Sequence, residues 1–157
     1  MGDRMIAARA PDLPARTGSD YPAPYNAPCL ARIRRALGDA FGLSQFGVNL
    51  LDLPPGNWSS QRHWHEQQDE FVYVLEGEVV LVTDEGETVL APGMTAGFRA
   101  GSGNGHHLVN RSNRTARVLE VGTRTVEEVA HYSDIDMMVR EDASGWGYFT
   151  KDGRPLK

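Results

Sequence analysis

Between Phe46 and Val121 the apolar residues fall in short runs, and turn residues fill the gaps between them. Phe46, Val48 and Leu50 alternate with Gly47 and Asn49. Phe71 to Leu75 is β-branched and aromatic. Val79 to Val82 follows across Glu76-Gly77-Glu78, and Glu87 to Leu90 across Asp84-Glu85-Gly86. Thr95 to Phe98, His106 to Asn110 and Arg117 to Val121 complete the series. Runs of this length suit strands and not helices. Several of them, punctuated by Gly, Asp, Asn and Pro, predict an all-β sandwich or small antiparallel barrel.

The pattern changes on both sides. Pro11, Pro14, Pro22, Pro24 and Pro28 crowd residues 1–28, a density that excludes a regular helix or central strand. One reading is a flexible tail; Tyr21 and Tyr25 supply apolar area and favour the other, an extended arm packed on the barrel or on a partner subunit. Cys29 to Leu37 is expected to form a short helix. Its Arg32, Arg34 and Arg35 read as a solvated face, with a grip on phosphate as the alternative. Further on, Val126 to Tyr132 reads as a helical turn or irregular segment, and Asp134 to Val139 as a strand. Trp146, Tyr148 and Phe149 imply a docked tail. The expected division is an arm (1–28), a barrel with its lead-in (29–123) and a packed tail (124–157).

Composition narrows the function classes. A chain of 157 residues suits one domain with its own core. The net charge of −5 argues against a nucleic-acid partner. No apolar run reaches the length of a membrane span, and Met1 to Ala10 lacks the apolar stretch of a secretory signal. A cytoplasmic location with no membrane partner is therefore expected. Cys29 is the only cysteine, which excludes an internal disulfide and a cysteine-based zinc site. No neighbour activates it, so it is expected to be inert.

The histidines carry the chemistry. Four of the five lie in two short segments, His63-Trp64-His65 and His106-His107; the fifth is His131. Residues i and i+2 of a strand share a face, so His63 and His65 present two imidazoles together while Trp64 points away. Glu70 shares its face with Val72 and Val74, and an antiparallel pairing would bring its carboxylate to both imidazoles. His106 shares a face with Leu108 and Asn110; His107 takes the other. Imidazoles and a carboxylate suit a first-row divalent metal: manganese, iron, zinc, nickel or cobalt. A His-x-His pair alone is a weak signal, since most histidines are surface or core residues; the downstream glutamate strengthens it.

These residues resemble the two motifs of the cupins. The first runs Gly56, His63-Trp64-His65, a gap of four, Glu70, a gap of six, Gly77, with the first gap one residue longer than the usual pattern. The second begins Gly86, five residues, Pro92-Gly93, and ends His106, three residues, Asn110. Its middle departs from the pattern: Pro92 is followed directly by Gly93, Arg99 replaces the usual later proline, and the loop to His106 is longer. The chain is also similar to small bacterial single-domain cupins of a sugar-phosphate-isomerase-like group, through Phe46 to Asn49 and Phe149 to Gly153. The resemblance implies a jelly-roll barrel with His63, His65, Glu70 and His106 as metal ligands. It also implies a small-molecule ligand or substrate and a homodimer.

The expected function is a metal-dependent enzyme on a small polar metabolite, isomerase-like or dioxygenase-like; a non-catalytic binding cupin is the alternative. Isomerisation needs a base. Alternation places no carboxylate but Glu70 in the cavity, so a tyrosine or His131 from the tail is the expected substitute. Val72, Val74, Leu108, Val80 and Val82 are expected to wall the cavity, with Phe71 and Tyr73 outside it. Arg99 reads as an exposed loop residue, or as a cation for an anionic ligand at the cavity mouth.

Overall fold

The computed structural model describes residues 5–157, the side chain of Asp142 excepted. Among the described residues thirteen strands follow one another: β1 (Arg16–Thr17), β2 (Ile33–Ala36), β3 (Phe46–Leu53), β4 (His63–His65), β5 (Glu70–Glu76), β6 (Val79–Thr83), β7 (Gly86–Leu90), β8 (Thr95–Phe98), β9 (His107–Val109), β10 (Ala116–Thr123), β11 (Val129–Tyr132), β12 (Met138–Asp142) and β13 (Gly145–Phe149). Among the described residues the only helical pieces are single 3-10 turns at Ala10–Asp12, Ala27–Cys29 and Asp39–Phe41.

Every strand pairing is antiparallel. One wall is a six-stranded sheet in the order β1-β2-β3-β10-β5-β8. The facing wall is built from a four-stranded sheet, β13-β12-β11-β4, and a three-stranded sheet, β7-β6-β9. A bridge between His63 and His106 sews these two together, with backbone bonds of 3.2 and 2.9 Å in the two directions. The fold is thus a cupin-like jelly roll, as the sequence pattern predicts.

Two cores fill it. Leu51, Leu53, Val72, Val74, Val79, Leu90, Leu108, Ala116 and Val118 pack between the large sheet and the three-stranded sheet. Tyr21 and Cys29 of the arm pack on Ala130, Tyr132, Met137 and Val139 of the tail. Cys29 is fully buried and burial pushes its thiol pKa up, in keeping with an inert cysteine. Gly77 makes the turn between β5 and β6 possible. Its φ is +73°, and a Cβ there would sit 2.8 Å from Ala116 Cα.

Five expectations about local structure are corrected. Cys29 to Leu37 is not a helix. After the 3-10 turn it becomes β2, which pairs with β3 and so places Arg34 and Arg35 on opposite faces. The three arginines are therefore not a solvated face: Arg34 pairs with Glu120 and Arg35 with Asp52, and Arg32 binds backbone carbonyls. The turn at Gly77 shifts the alternation, so Val79 and Leu81 join the barrel core cluster; of the residues expected to wall the cavity, Val72 and Leu108 line it, while Val74 and Val80 are buried elsewhere and Val82 does not line it. Val126 to Tyr132 contributes strand β11, and the segment read as a strand from Asp134 begins only at Met138.

Candidate metal centre

Short strands and backbone ties position the histidines. β4 is three residues long, and β11 holds one edge of it in the register Ala130↔His65, His131↔Trp64, Tyr132↔His63. His106 is held across the other edge by its backbone bonds to His63. Gly105, just before His106, packs where a Cβ would collide with Ser133 Oγ, so only glycine lets this loop close. Glu70 opens β5, opposite Gly122 of β10 and Phe98 of β8.

The ligand atoms of His63, Glu70 and His106 lie within 4.8 Å of one another. Glu70 Oε2 is 2.7 Å from His106 Nε2 and 3.6 Å from His63 Nε2. Yet this buried oxygen satisfies hydrogen-bond geometry with neither. A buried carboxylate oxygen crowded by two imidazole nitrogens without a hydrogen bond to either is a donor set that suits a cation. His65 joins from the side, its Nε2 3.5 Å from Glu70 Oε1.

The outer contacts of the imidazoles differ. His63 Nδ1 lies 2.8 Å from the carbonyl of Gln61; that acceptor demands N–H at Nδ1 and leaves the Nε2 lone pair facing the site. His65 Nδ1 lies 3.4 Å from Glu128 Oε1, within reach of its charge but outside good hydrogen-bond geometry. Glu128 is fully buried and is itself fixed by the N–H groups of Glu66 at 2.9 Å and Gln67 at 3.0 Å. His106 stacks face to face on Phe98, with ring centres 3.6 Å apart.

Electrostatics follow from this packing. Burial alone would raise the Glu70 pKa, but the three imidazoles outweigh it and hold the carboxyl well below its usual range. Burial pushes His106 below the ordinary imidazole value, which keeps it neutral and able to ligate. Burial pulls His65 the same way, but Glu70 and Glu128 together win and raise it.

The structure brings His63, His65, Glu70 and His106 together and turns the other histidines away. His107 is buried outside the cluster, its Nδ1 2.9 Å from the Ser60 carbonyl and its ring edge-on to Trp58. Trp64 stacks on His131, whose Nε2 lies 2.7 Å from Glu66 Oε1. His131 is absent from the residues lining the cavity, so the suggestion that it serves as a base is corrected. Arg99 is exposed.

His63, Glu70 and His106 line a cavity of about 690 Å³, and His65 sits behind them, outside its lining. The second correction lies here: Glu70 is not the only carboxylate inside, because Glu120 and Glu141 also line the cavity. Glu120 faces inward on β10 opposite Val72 and forms a two-pronged ion pair with Arg34, at 2.8 and 3.1 Å. The alternation Val118-Leu119-Glu120 held that signal, since a core Val118 requires an inward Glu120.

Comparison with known proteins agrees with this geometry. A family profile described as Cupin domain matches residues 49–122. A sugar phosphate isomerase of the cupin superfamily from Silicibacter pomeroyi is 53% identical, with 97% of each chain covered and a TM-score of 0.92. The chain belongs to the cupin superfamily. A putative sugar phosphate isomerase from Acidithiobacillus ferrooxidans is 30% identical over 81% of each cupin chain, with a TM-score of 0.72. The polyketide cyclase RemF from Streptomyces resistomycificus, at 24% identity, a TM-score of 0.62 and coverage of 76% of this cupin and 79% of that chain, shares the fold. Among curated proteins no match is found.

Proposed function

We propose that this cupin is a metal-dependent isomerase acting on a small phosphorylated sugar. One observation carries the metal half of the reading: the buried Glu70 oxygen converges with the imidazoles yet bonds none of them. His63, His65, Glu70 and His106 would hold one divalent transition metal, which as a Lewis acid supplies polarisation of a carbonyl or hydroxyl oxygen. The substrate half is supported by the similarity to the sugar phosphate isomerase from Silicibacter pomeroyi and the putative one from Acidithiobacillus ferrooxidans.

The chain's own residues do the rest. Aldose–ketose isomerisation moves a proton between neighbouring carbons and needs a base to take and return it. Glu120 is that base. It is a diagonal neighbour of Glu70 across β5 and β10, about 7 Å away by sheet geometry. Arg34 fixes its orientation. Val72, Phe98 and Leu108 wall the reacting space and limit water.

Elemental analysis of untagged protein purified without chelator tests the reading, alongside His106→Ala. Near-stoichiometric metal that falls sharply in the variant is expected. No metal in the native protein, and none taken up on addition, refutes it and leaves a non-catalytic binding cupin. Iron would direct the assays to oxygen uptake; manganese or zinc, to sugar phosphate interconversion.

A further inference from the structure

The cavity has a second polar region, away from the histidines. Arg16, Arg32, Arg34 and Arg124 all line it. Three of them have a carboxylate: Arg16 pairs with Asp20, Arg34 with Glu120 and Arg124 with Asp39. Among the described residues Arg32 has none. Its Nε donates to the Gly18 carbonyl at 3.0 Å and its Nη1 to the Ser59 carbonyl. Its Nη2 donates to no described residue, though only 8% of Arg32 is exposed. A buried guanidinium without an anion is costly unless one arrives.

The surroundings suit an incoming anion. Arg34 Nη1 makes no bond to a described residue, so both arginines keep donors for a multidentate oxyanion. Tyr148 faces the same space, and burial pushes its hydroxyl up to about 12, so it stays a donor at neutral pH. The Ser59 carbonyl accepts from Arg34 Nη2 at 3.4 Å as well as from Arg32. Ser59 stands four residues before His63, which places the two regions within about 13 Å of each other along the chain.

We propose that Arg32, with the Arg34–Glu120 pair beside it, is an anion subsite that takes the phosphoryl group of the substrate while the reacting carbons lie at the histidine cluster. The assignment rests on the isomerase reading above and adds where the phosphate sits. It also gives Glu120 a second consequence: this carboxylate competes with the phosphoryl group for Arg34, so it weakens the subsite while serving as the base.

Calorimetric titration of orthophosphate into the metal-loaded full chain tests this, with metal content measured on every sample. The native protein should bind. Arg32→Gln should weaken binding about tenfold, the effect of losing a charge-assisted contact. Glu120→Gln should tighten it severalfold. That gain cannot come from misfolding, and Glu120 does not touch the tie from Arg32 to Gly18 and Ser59. His106→Ala should keep the phosphate affinity while losing metal, whereas phosphate bound on the metal would be lost with it. No binding to the native protein, equal affinity in Arg32→Gln, or no gain in Glu120→Gln overturns the subsite. Absence of metal from the native protein overturns the isomerase reading alone, since the arginine results do not depend on it.

Discussion

Glu128 is the carboxylate whose removal says most about the site. It is fully buried, accepts backbone N–H bonds on both oxygens and sits 3.4 Å from His65 Nδ1. Glu128→Gln preserves the shape and removes the charge. One of its two terminal atoms becomes an NH2, so in either orientation a partly buried backbone N–H of Glu66 or Gln67 faces a donor. A fully buried unsatisfied donor costs about 1–3 kcal/mol, so a destabilisation at the low end, about 1 kcal/mol, is expected here. The larger effect is on the metal. The Glu128 charge favours the tautomer with N–H on His65 Nδ1, which frees the Nε2 lone pair; loss of such an outer carboxylate typically weakens metal binding about 10–100-fold. Urea unfolding of the metal-free protein reads the first quantity, and metal titration against a competing chelator reads the second. A variant that folds and binds metal as tightly as the native protein would refute the orienting role.

Other predictions are simpler to state. In the metal-free protein the His65 pKa is raised above its ordinary 6.5, so metal must displace a proton as pH falls through that raised value. Affinity should therefore fall as the pH drops through that raised value, with His106, shifted down, adding no competition there; a titration series showing affinity independent of pH across the imidazole range would be the contrary result. Gly77→Ala forces φ +73° on a residue with a Cβ 2.8 Å from Ala116 Cα, and should cost about 2 kcal/mol or more by thermal unfolding; an unchanged melting curve contradicts the strain. The outward face of the six-stranded sheet carries Phe46, Phe71, Tyr73 and Leu75, each roughly 40% exposed, and a second copy is expected to cover it. Light scattering that reports a monomer at working concentration rules out that homodimer.

The sequence was most legible where one face of a strand is buried and the other wet. Residues 70–76 are such a strand, and their alternation placed Val72 and Val74 inside and Phe71 and Tyr73 on the exposed face, as the burial shows, although Phe71 also borders the cavity. His63, His65 and His106 followed from the same rule. It failed where neighbouring residues are equally polar or equally apolar. Three arginines within four residues hide the period of β2, so its strand and the inward Arg34 went unseen. In β10, Val118, Leu119, Glu120 and Val121 have apolar residues on both faces, which masked Glu120. The shift at Gly77 reversed the faces of β6, a change set by turn geometry and not by composition. Glu128 bonds backbone more than sixty positions away, and the edge of β11 that holds the histidine strand is likewise paired across more than sixty positions, which no local pattern encodes.

The pairing of β4 with β11 sets an order of events in the life of the chain. The ligand strand is three residues long and is flanked by residues 106 and 129–132. Contacts at such sequence separation form late in folding, because the intervening chain must first be closed. During synthesis the first two histidines therefore leave the ribosome long before the segment that will hold them in register. On the proposed metal reading, the site cannot select an ion while the chain is still growing, and metal would be taken up after the tail has emerged and β11 has docked. A ribosome-stalled chain ending near residue 124 would carry the ligand residues without the β11 edge that aligns them.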